Sequence, residues 1–161
     1  MASLYTLLGG TCNSYIEGIM QNRTVASLQL CIQRRKPMDF VTEARAIAEL
    51  GLEGDLHARR GSKRQVLLMD IETLNDFELQ PGMVRENITV KGMDLSVLKP
   101  GELIRIGQGV VLEVTGGCEP CERMDELKMG LQQALQGRRG ILTVVRRGGI
   151  LCLGDRISVD E

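Results

Sequence analysis

The sequence has no tryptophan, two phenylalanines, two tyrosines and a single histidine. With aromatics at 2%, platforms for stacking nucleobases are missing. The core has to be built from Leu, Ile, Val, Met and Ala. Neither sign of charge is in excess: 20 Lys and Arg stand against 21 Asp and Glu. No global field therefore draws the chain to nucleic acid or to an anionic membrane surface. No run of about 18 apolar residues occurs, so no helical membrane span is expected. The five cysteines, Cys12, Cys31, Cys118, Cys121 and Cys152, are odd in number and irregularly spaced. That is not a disulfide framework, and free thiols fit a reducing, cytoplasmic compartment.

What is present is ordinary for a soluble globular chain: 43% hydrophobic and 25% charged residues. A length of 161 residues predicts one domain with a core large enough to need no staples. The first basic residue is Arg23, so a secretory signal is not expected. Residues 1–24 read as a leader, disordered or briefly helical, and 25–161 as the domain.

Glycines at short intervals leave little room for long helices. Val25–Gln33, Arg64–Asp70, Asn87–Val90, Glu102–Ile106, Val110–Val114, Gly140–Arg146, Ile150–Leu153 and Arg156–Val159 read as strands. Gly107-Gln108-Gly109 suits a tight hairpin, and Gly148-Gly149 joins the strands on its two sides. Phe40–Leu50 is ambiguous. Its Ala, Glu and Arg favour helix, while the alternation of Ala44, Ala46 and Ala48 suits a strand. Helices are expected at Ile71–Phe77 and within Glu122–Leu135, and a helical turn at Leu95–Pro100. Many short strands with few helices predict a mainly β barrel or sandwich, without βαβ repeats.

Three segments carry polar groups with chemical potential. The first is Thr115–Met124, TGGCEPCERM, between a strand and a helix-rich stretch. Its C-x-x-C pair admits several readings. Zinc needs four ligands, and the chain has one His and no second C-x-x-C. A dithiol redox pair expects a βαβ context. Two loop cysteines with no role are the plain alternative. The fourth reading is one working thiolate with an auxiliary neighbour. Cys121 suits that role better, since it follows the rigid Pro120, precedes a helix start and lies near Arg123. Glu119, Glu122, Asp125 and Glu126 oppose the effect. A soft thiolate takes soft partners, either a sulfane sulfur or a sulfur-tolerant metal such as molybdenum.

The second segment is Gly51–His57, GLEGDLH. A glycine turn there presents Asp55 and His57, followed by Arg59, Arg60, Lys63 and Arg64. A lone His is more often structural than catalytic, but this setting suits an anion with His57 as donor or proton shuttle. The third is Arg85-Glu86-Asn87-Ile88-Thr89. It offers a guanidinium fork, an amide and a hydroxyl of the kind that hold phosphate or a heterocycle. Its plain alternative is a turn bonded to its own backbone.

In this order the segments resemble the MOSC domain, named for the C-terminal domain of molybdenum cofactor sulfurase. The resemblance runs through GLEGDLHA (51–58), RQVLLMDIETL (64–74), PGMVRENITVKGMDL (81–95), LKPGELIRIG (98–107), EVTGGCEPCERM (113–124) and GRRGILTVVRRGGILCLGDRI (137–157). It implies a closed or partly closed MOSC-type β-barrel with a few short helices, and a strand at Thr42–Glu49. The family's hallmark cysteine falls on Cys121, and Cys118 has no general counterpart. In the family this cysteine carries sulfur as a persulfide or ligates molybdenum in a bound molybdenum cofactor, so Cys121 is implied as both the catalytic and the metal-binding thiol, with His57 beside it. Asp55, Arg64, Arg85, Asn87 and Thr89 are implied to face the same pocket and hold the pterin phosphate.

Some relatives reduce N-hydroxylated compounds within an electron-transfer chain. The sequence matches no desulfurase or iron–sulfur domain, and no pyridoxal phosphate site is expected. Sulfur is then expected from a cysteine desulfurase or another donor, or electrons from an electron-transfer protein. A non-enzymatic barrel that binds zinc or a protein partner is the remaining alternative.

Overall fold

The computed structural model describes residues 22–160. The expected leader lies outside these residues except for its last three, and Thr24 already begins a strand. The chain is mainly β with a few short helices, as the sequence implies.

Eight strands form one sheet: β1 (Thr24–Leu30), β2 (Asp39–Val41), β5 (Val66–Asp70), β6 (Ile88–Lys91), β7 (Leu103–Ile106), β8 (Val110–Gly117), β9 (Ile141–Arg147) and β11 (Ile157–Asp160). Their order is β11-β7-β8-β9-β5-β6-β1-β2. A second sheet joins β10 (Gly149–Cys152), β3 (Glu43–Ile47) and β4 (Gly51–Leu52).

The large sheet does not close into a barrel, because no ladder links β11 to β2. The cause lies on the free edge of β1. The short β2 pairs only with Leu28–Leu30 and occupies the far half of that edge. At the near half, Thr24 bridges Arg156, and the Val25 amide donates to the Asp155 carbonyl at 2.9 Å. The join between β1 and the residues ahead of β11 is thus a few bonds rather than a strand pair.

Local chemistry explains most elements. In Phe40–Leu50 the strand reading prevails: Ala44 and Ala46 are buried while Glu43 and Arg45 are exposed, the period of a half-buried strand. The helix-rich stretch after Cys121 breaks into α2 (Arg123–Leu127) and α3 (Leu131–Ala134). Lys128 leaves the helical region and Gly130 sits at φ +83° between them. The hairpin at Gly107–Gly109 pairs Ile106 with Val110 as expected. The strands flanking Gly148-Gly149 part into different sheets. A Cβ on Gly148 would lie 2.6 Å from the Ala46 carbonyl oxygen, so the backbones meet there as only glycine allows. One parallel pair does occur: β5 runs beside β6, with α1 (Ile71–Asp76) between them. Asp70 caps α1 by accepting from the Thr73 amide at 2.8 Å.

Two apolar clusters fill the interior. The larger is aliphatic and includes Leu28, Leu52, Leu68, Ile88, Ile104 and Leu112. The smaller gathers Met69, Leu74, Leu79, Val84, Met124, Leu131 and Leu135, with Phe77 at its edge. This second cluster seats α1, α2 and α3, and so fixes the loop that bears Cys118 and Cys121. Among the described residues, no helix is long and apolar enough to cross a membrane.

Candidate functional site

Cys118, Cys121, His57, Arg64, Arg85 and Asn87 line one small cleft of about 180 Å³, together with Arg123, Arg139 and Glu119. Four guanidinium groups thus face one carboxylate among the lining side chains. The sequence brought five of these residues forward as site candidates. It set Cys118 beside them as an auxiliary thiol and did not select Arg139.

Asp55 organises the near wall. Its side chain is fully buried and accepts four hydrogen bonds: the Cys31 amide at 2.7 Å, the His57 amide at 2.8 Å, His57 Nδ1 at 3.0 Å and Asn87 Nδ2 at 2.8 Å. Burial pushes this carboxyl up, but the bonds from His57 and Cys31 outweigh it and hold the group below its ordinary value of 3.8. Asp55 therefore does not line the cleft itself; it sets the His57 ring and the Asn87 amide. Asn87 is tied further, accepting from the Leu67 amide at 3.1 Å and donating to the Gln29 carbonyl at 3.2 Å. His57 keeps half of its side chain exposed, 51% against 0% for Asp55.

Two buried thiols each meet an arginine. Arg85 Nη2 lies 2.7 Å from Cys31 Sγ, and Arg139 Nη1 lies 2.6 Å from Cys118 Sγ. Arg64 Nη2 is 3.9 Å from Cys118 Sγ on its other side. Arg85 adopts φ +68°, a strained state for a side chain of its size, held by its bond to the Lys36 carbonyl at 2.7 Å. Cys121, by contrast, is exposed at the mouth. Pro120 is buried beside it, and its carbonyl accepts from Gln132 Nε2 at 3.3 Å.

Thr89 does not face the cleft. It is fully buried, donates to Glu86 Oε1 at 2.9 Å and accepts from Gln29 Nε2 at 3.2 Å. Glu86 is also fully buried, and its Oε2 has no hydrogen-bond partner among the described residues. Burial pushes its carboxyl above the ordinary 4.5, against bonds from Gly82 and Thr89 and the charge of Arg139. A raised carboxyl favours the fold in its neutral form. Its contribution is present below pH 4.5 and is lost as pH rises through the folded value. Glu86→Gln, neutral throughout, is therefore expected to gain on the wild type as pH rises. Melting curves from about pH 4 to about pH 8 test this, and a difference that stays flat or shrinks would count against it.

Arg139, which was not selected, had at most one faint local signal. In Arg138-Arg139 the first side chain is exposed and the second is buried at 7%. Only a β-like alternation leading into Ile141 could have separated the two. Among the described residues, no three His, Cys, Asp or Glu side chains converge to hold a metal ion. The zinc alternative thus finds no closed ligand set there.

Comparison with known proteins bears on the fold and the family. The chain is 31% identical to YuaD of Bacillus subtilis (strain 168), named as a metal-sulfur cluster biosynthesis protein, over 68% of this chain and 76% of that one. The crystal structure of Bacillus subtilis YuaD shares the fold at a TM-score of 0.75 and 24% identity, covering 86% of this chain and 95% of that one. YiiM from Geobacillus stearothermophilus shares it at 0.68 and 16%, covering 86% and 75%. The model of the MOSC domain matches residues 55–158, a span that holds every residue of the cleft. The chain belongs to the MOSC domain family.

Proposed function

We propose that this protein is a sulfur carrier in which Cys121 accepts a sulfane sulfur as a persulfide. The carrying observation is an exposed thiol at the mouth of a small basic cleft. The step balances without an external oxidant. The Cys121 thiolate attacks the terminal sulfur of a donor's persulfide, a new S–S bond forms, and the donor's S–S bond breaks to release its thiolate. Arg64, Arg85 and Arg139 line the same cleft and supply fixed positive charge for an anionic persulfide. The donor is a cysteine desulfurase or another persulfide protein that reaches Cys121 from outside. The naming of YuaD as a metal-sulfur cluster biosynthesis protein supports sulfur handling as the general task.

Volume favours this reading. Sites that engulf a small molecule enclose roughly 300–1,000 Å³, and the cleft encloses about 180 Å³. That suits the end of a donor side chain better than a whole cofactor.

The second reading is molybdenum cofactor binding, and the donor set fits it in part. Arg64, Arg85, Asn87 and His57 offer donors to a pterin phosphate, and Cys121 offers a soft ligand to the metal. The bound group would supply two-electron oxygen-atom chemistry, the basis of a reductase acting on N-hydroxylated compounds with an electron-transfer partner. Elemental and pterin analysis of the purified protein, with Cys121→Ser as control, separates this reading from the first.

The carrier reading is tested by intact mass after incubation with a cysteine desulfurase and cysteine. The expected result is an adduct of about 32 Da, one sulfur, that is absent in Cys121→Ser. An unmodified Cys121 under conditions that load a known carrier would sink it.

A further inference from the structure

We propose that Cys118 resolves the persulfide on Cys121, releasing hydrosulfide and closing a Cys118–Cys121 disulfide. This rests on the sulfur-carrier reading and adds an activity to it: discharge of free sulfide inside the cleft.

The two thiols differ in the way such a division of labour requires. Cys121 is exposed and open to a protein donor, while Cys118 is 5% exposed and closed to one. Both line the same cleft, three residues apart on a loop outside any strand or helix. The Cys118 amide is anchored to the Gly140 carbonyl at 3.0 Å, and the Cys121 carbonyl accepts from the Met124 amide at 2.9 Å. The ends are thus pinned, and only Glu119 and Pro120 between them need adjust.

Arg139 supplies the second, independent observation. It is 7% exposed, yet among the described residues no carboxylate lies within ion-pair distance of it. Its guanidinium is held by the Val84 carbonyl at 3.0 Å and the Glu119 carbonyl at 3.4 Å. Its Nε has no hydrogen-bond partner among the described residues. A buried cation held by neutral carbonyls keeps its charge for an anion, and the atom it meets at 2.6 Å is Cys118 Sγ. Glu86, the acid whose charge reaches Arg139, is pushed toward its neutral form by burial. Negative charge on the Cys118 sulfur is therefore faced by Arg139 and, farther off, by Arg64.

The step balances as follows. Cys118 gives its proton to solvent, and its thiolate attacks Sγ of the Cys121 persulfide. The Sγ–S bond breaks, and the outer sulfur leaves as hydrosulfide with the electron pair. The sulfane sulfur is reduced as two cysteine sulfurs are oxidised to a disulfide. A dithiol reductant then returns both thiols for the next cycle.

The test uses the full chain, reduced, loaded by a cysteine desulfurase with cysteine, and separated from free cysteine. Sulfide is trapped and intact mass followed over time. The wild type is expected to release about one equivalent of hydrosulfide and to end about 2 Da below its reduced mass. Cys118→Ser is expected to keep its adduct of about 32 Da and to release sulfide at least about tenfold more slowly. Arg139→Gln, measured per loaded chain, is expected to slow release, and Arg139→Lys to restore part of it. A wild type that keeps its adduct as long as Cys118→Ser does would overturn the proposal while leaving the carrier reading intact. A Cys118→Ser protein that never gains the adduct, where a known carrier is loaded, would overturn the carrier reading itself.

Discussion

Gly140→Ala is expected to lower the melting temperature by at least about 10 °C and to unseat Cys118. Gly140 precedes β9, where Ile141 pairs with Leu68 of β5. Its φ of +83° lies in the left-handed region, which costs a side chain roughly 1–2 kcal/mol. The larger cost is steric. An added Cβ would sit 2.0 Å from the Leu68 carbonyl oxygen and 3.1 Å from its carbonyl carbon. Both are backbone atoms of a central strand, and they cannot rotate away. Relief requires β9 to move off β5 at the end nearest the cleft. Together the two terms give a loss of about 4 kcal/mol or more, beyond the usual range for single substitutions.

The consequence reaches the site because the Gly140 carbonyl accepts the Cys118 amide and Arg139 is the neighbouring residue. Differential scanning calorimetry with thiol labelling under native conditions checks both parts. The variant should melt early, and its Cys118 should label faster than in the wild type, where it is 5% exposed. A wild-type melting temperature would mean that β5 and β9 yield more easily than backbone sterics allow.

The same position shows what the sequence could and could not express. Glu102–Ile106 and Val110–Val114 were legible as a hairpin because alternation and a glycine turn are both local signals, and they form β7 and β8. The strand at Glu43–Ile47 was implied by the family resemblance, while its residues alone left helix and strand open. The alternating alanines can serve either period until one face is covered, here by the larger apolar cluster that takes in Ala46. The open seam of the large sheet was illegible, since it depends on a three-residue strand occupying the far half of the β1 edge. The two short helices after Cys121 were masked by good helix formers. Gly130 and the extended Lys128 override that propensity.

The site divided in the same manner. His57, Arg64, Arg85, Asn87 and Cys121 could be selected by residue type and neighbourhood, and they do meet in one cleft. Thr89 has the same chemistry as a ligand-binding hydroxyl but spends it on Glu86 and Gln29. Both faces of β6 are covered, since Ile88, Thr89 and Val90 are all fully buried, and nothing in the local sequence says which of them reaches the cleft. Arg139 escaped for the opposite reason. It looks like half of a solvated Arg pair, and its burial brings it against the Val84 carbonyl, 55 residues away in sequence.

Replacing Asp55 tests how far the cleft depends on one buried charge. Asp55→Ala removes the acceptor of four hydrogen bonds from Cys31, His57 and Asn87. The His57 ring is half exposed and turns to water at little cost. The Cys31 amide and the Asn87 amide group are buried and have no such exit. Leaving a buried donor unmade costs about 1–3 kcal/mol, so the loss is expected near 3 kcal/mol. For a domain of this size that is a fall of roughly 6–12 °C. Asn87 also bridges Gln29 and Leu67, so its release loosens β1 against β5 as well as the cleft wall.

The milder Asp55→Asn separates charge from shape. It keeps one acceptor and sets an amide donor against the Cys31 or Asn87 donors. Its defect relative to wild type must depend on acid in a defined direction. The wild-type carboxyl is held below 3.8, so its contribution is complete above that pH and is lost as pH falls through the folded value. The difference in melting temperature between wild type and Asp55→Asn is therefore expected to be constant near neutrality and to narrow only in acid below 3.8. A difference that instead narrows as pH rises from about 5 to about 7, where an ordinary imidazolium loses its charge, would assign the stabilisation to the charge of His57. Asp55 would then be a partner that His57 holds, rather than the group that holds His57 and Asn87 in the cleft.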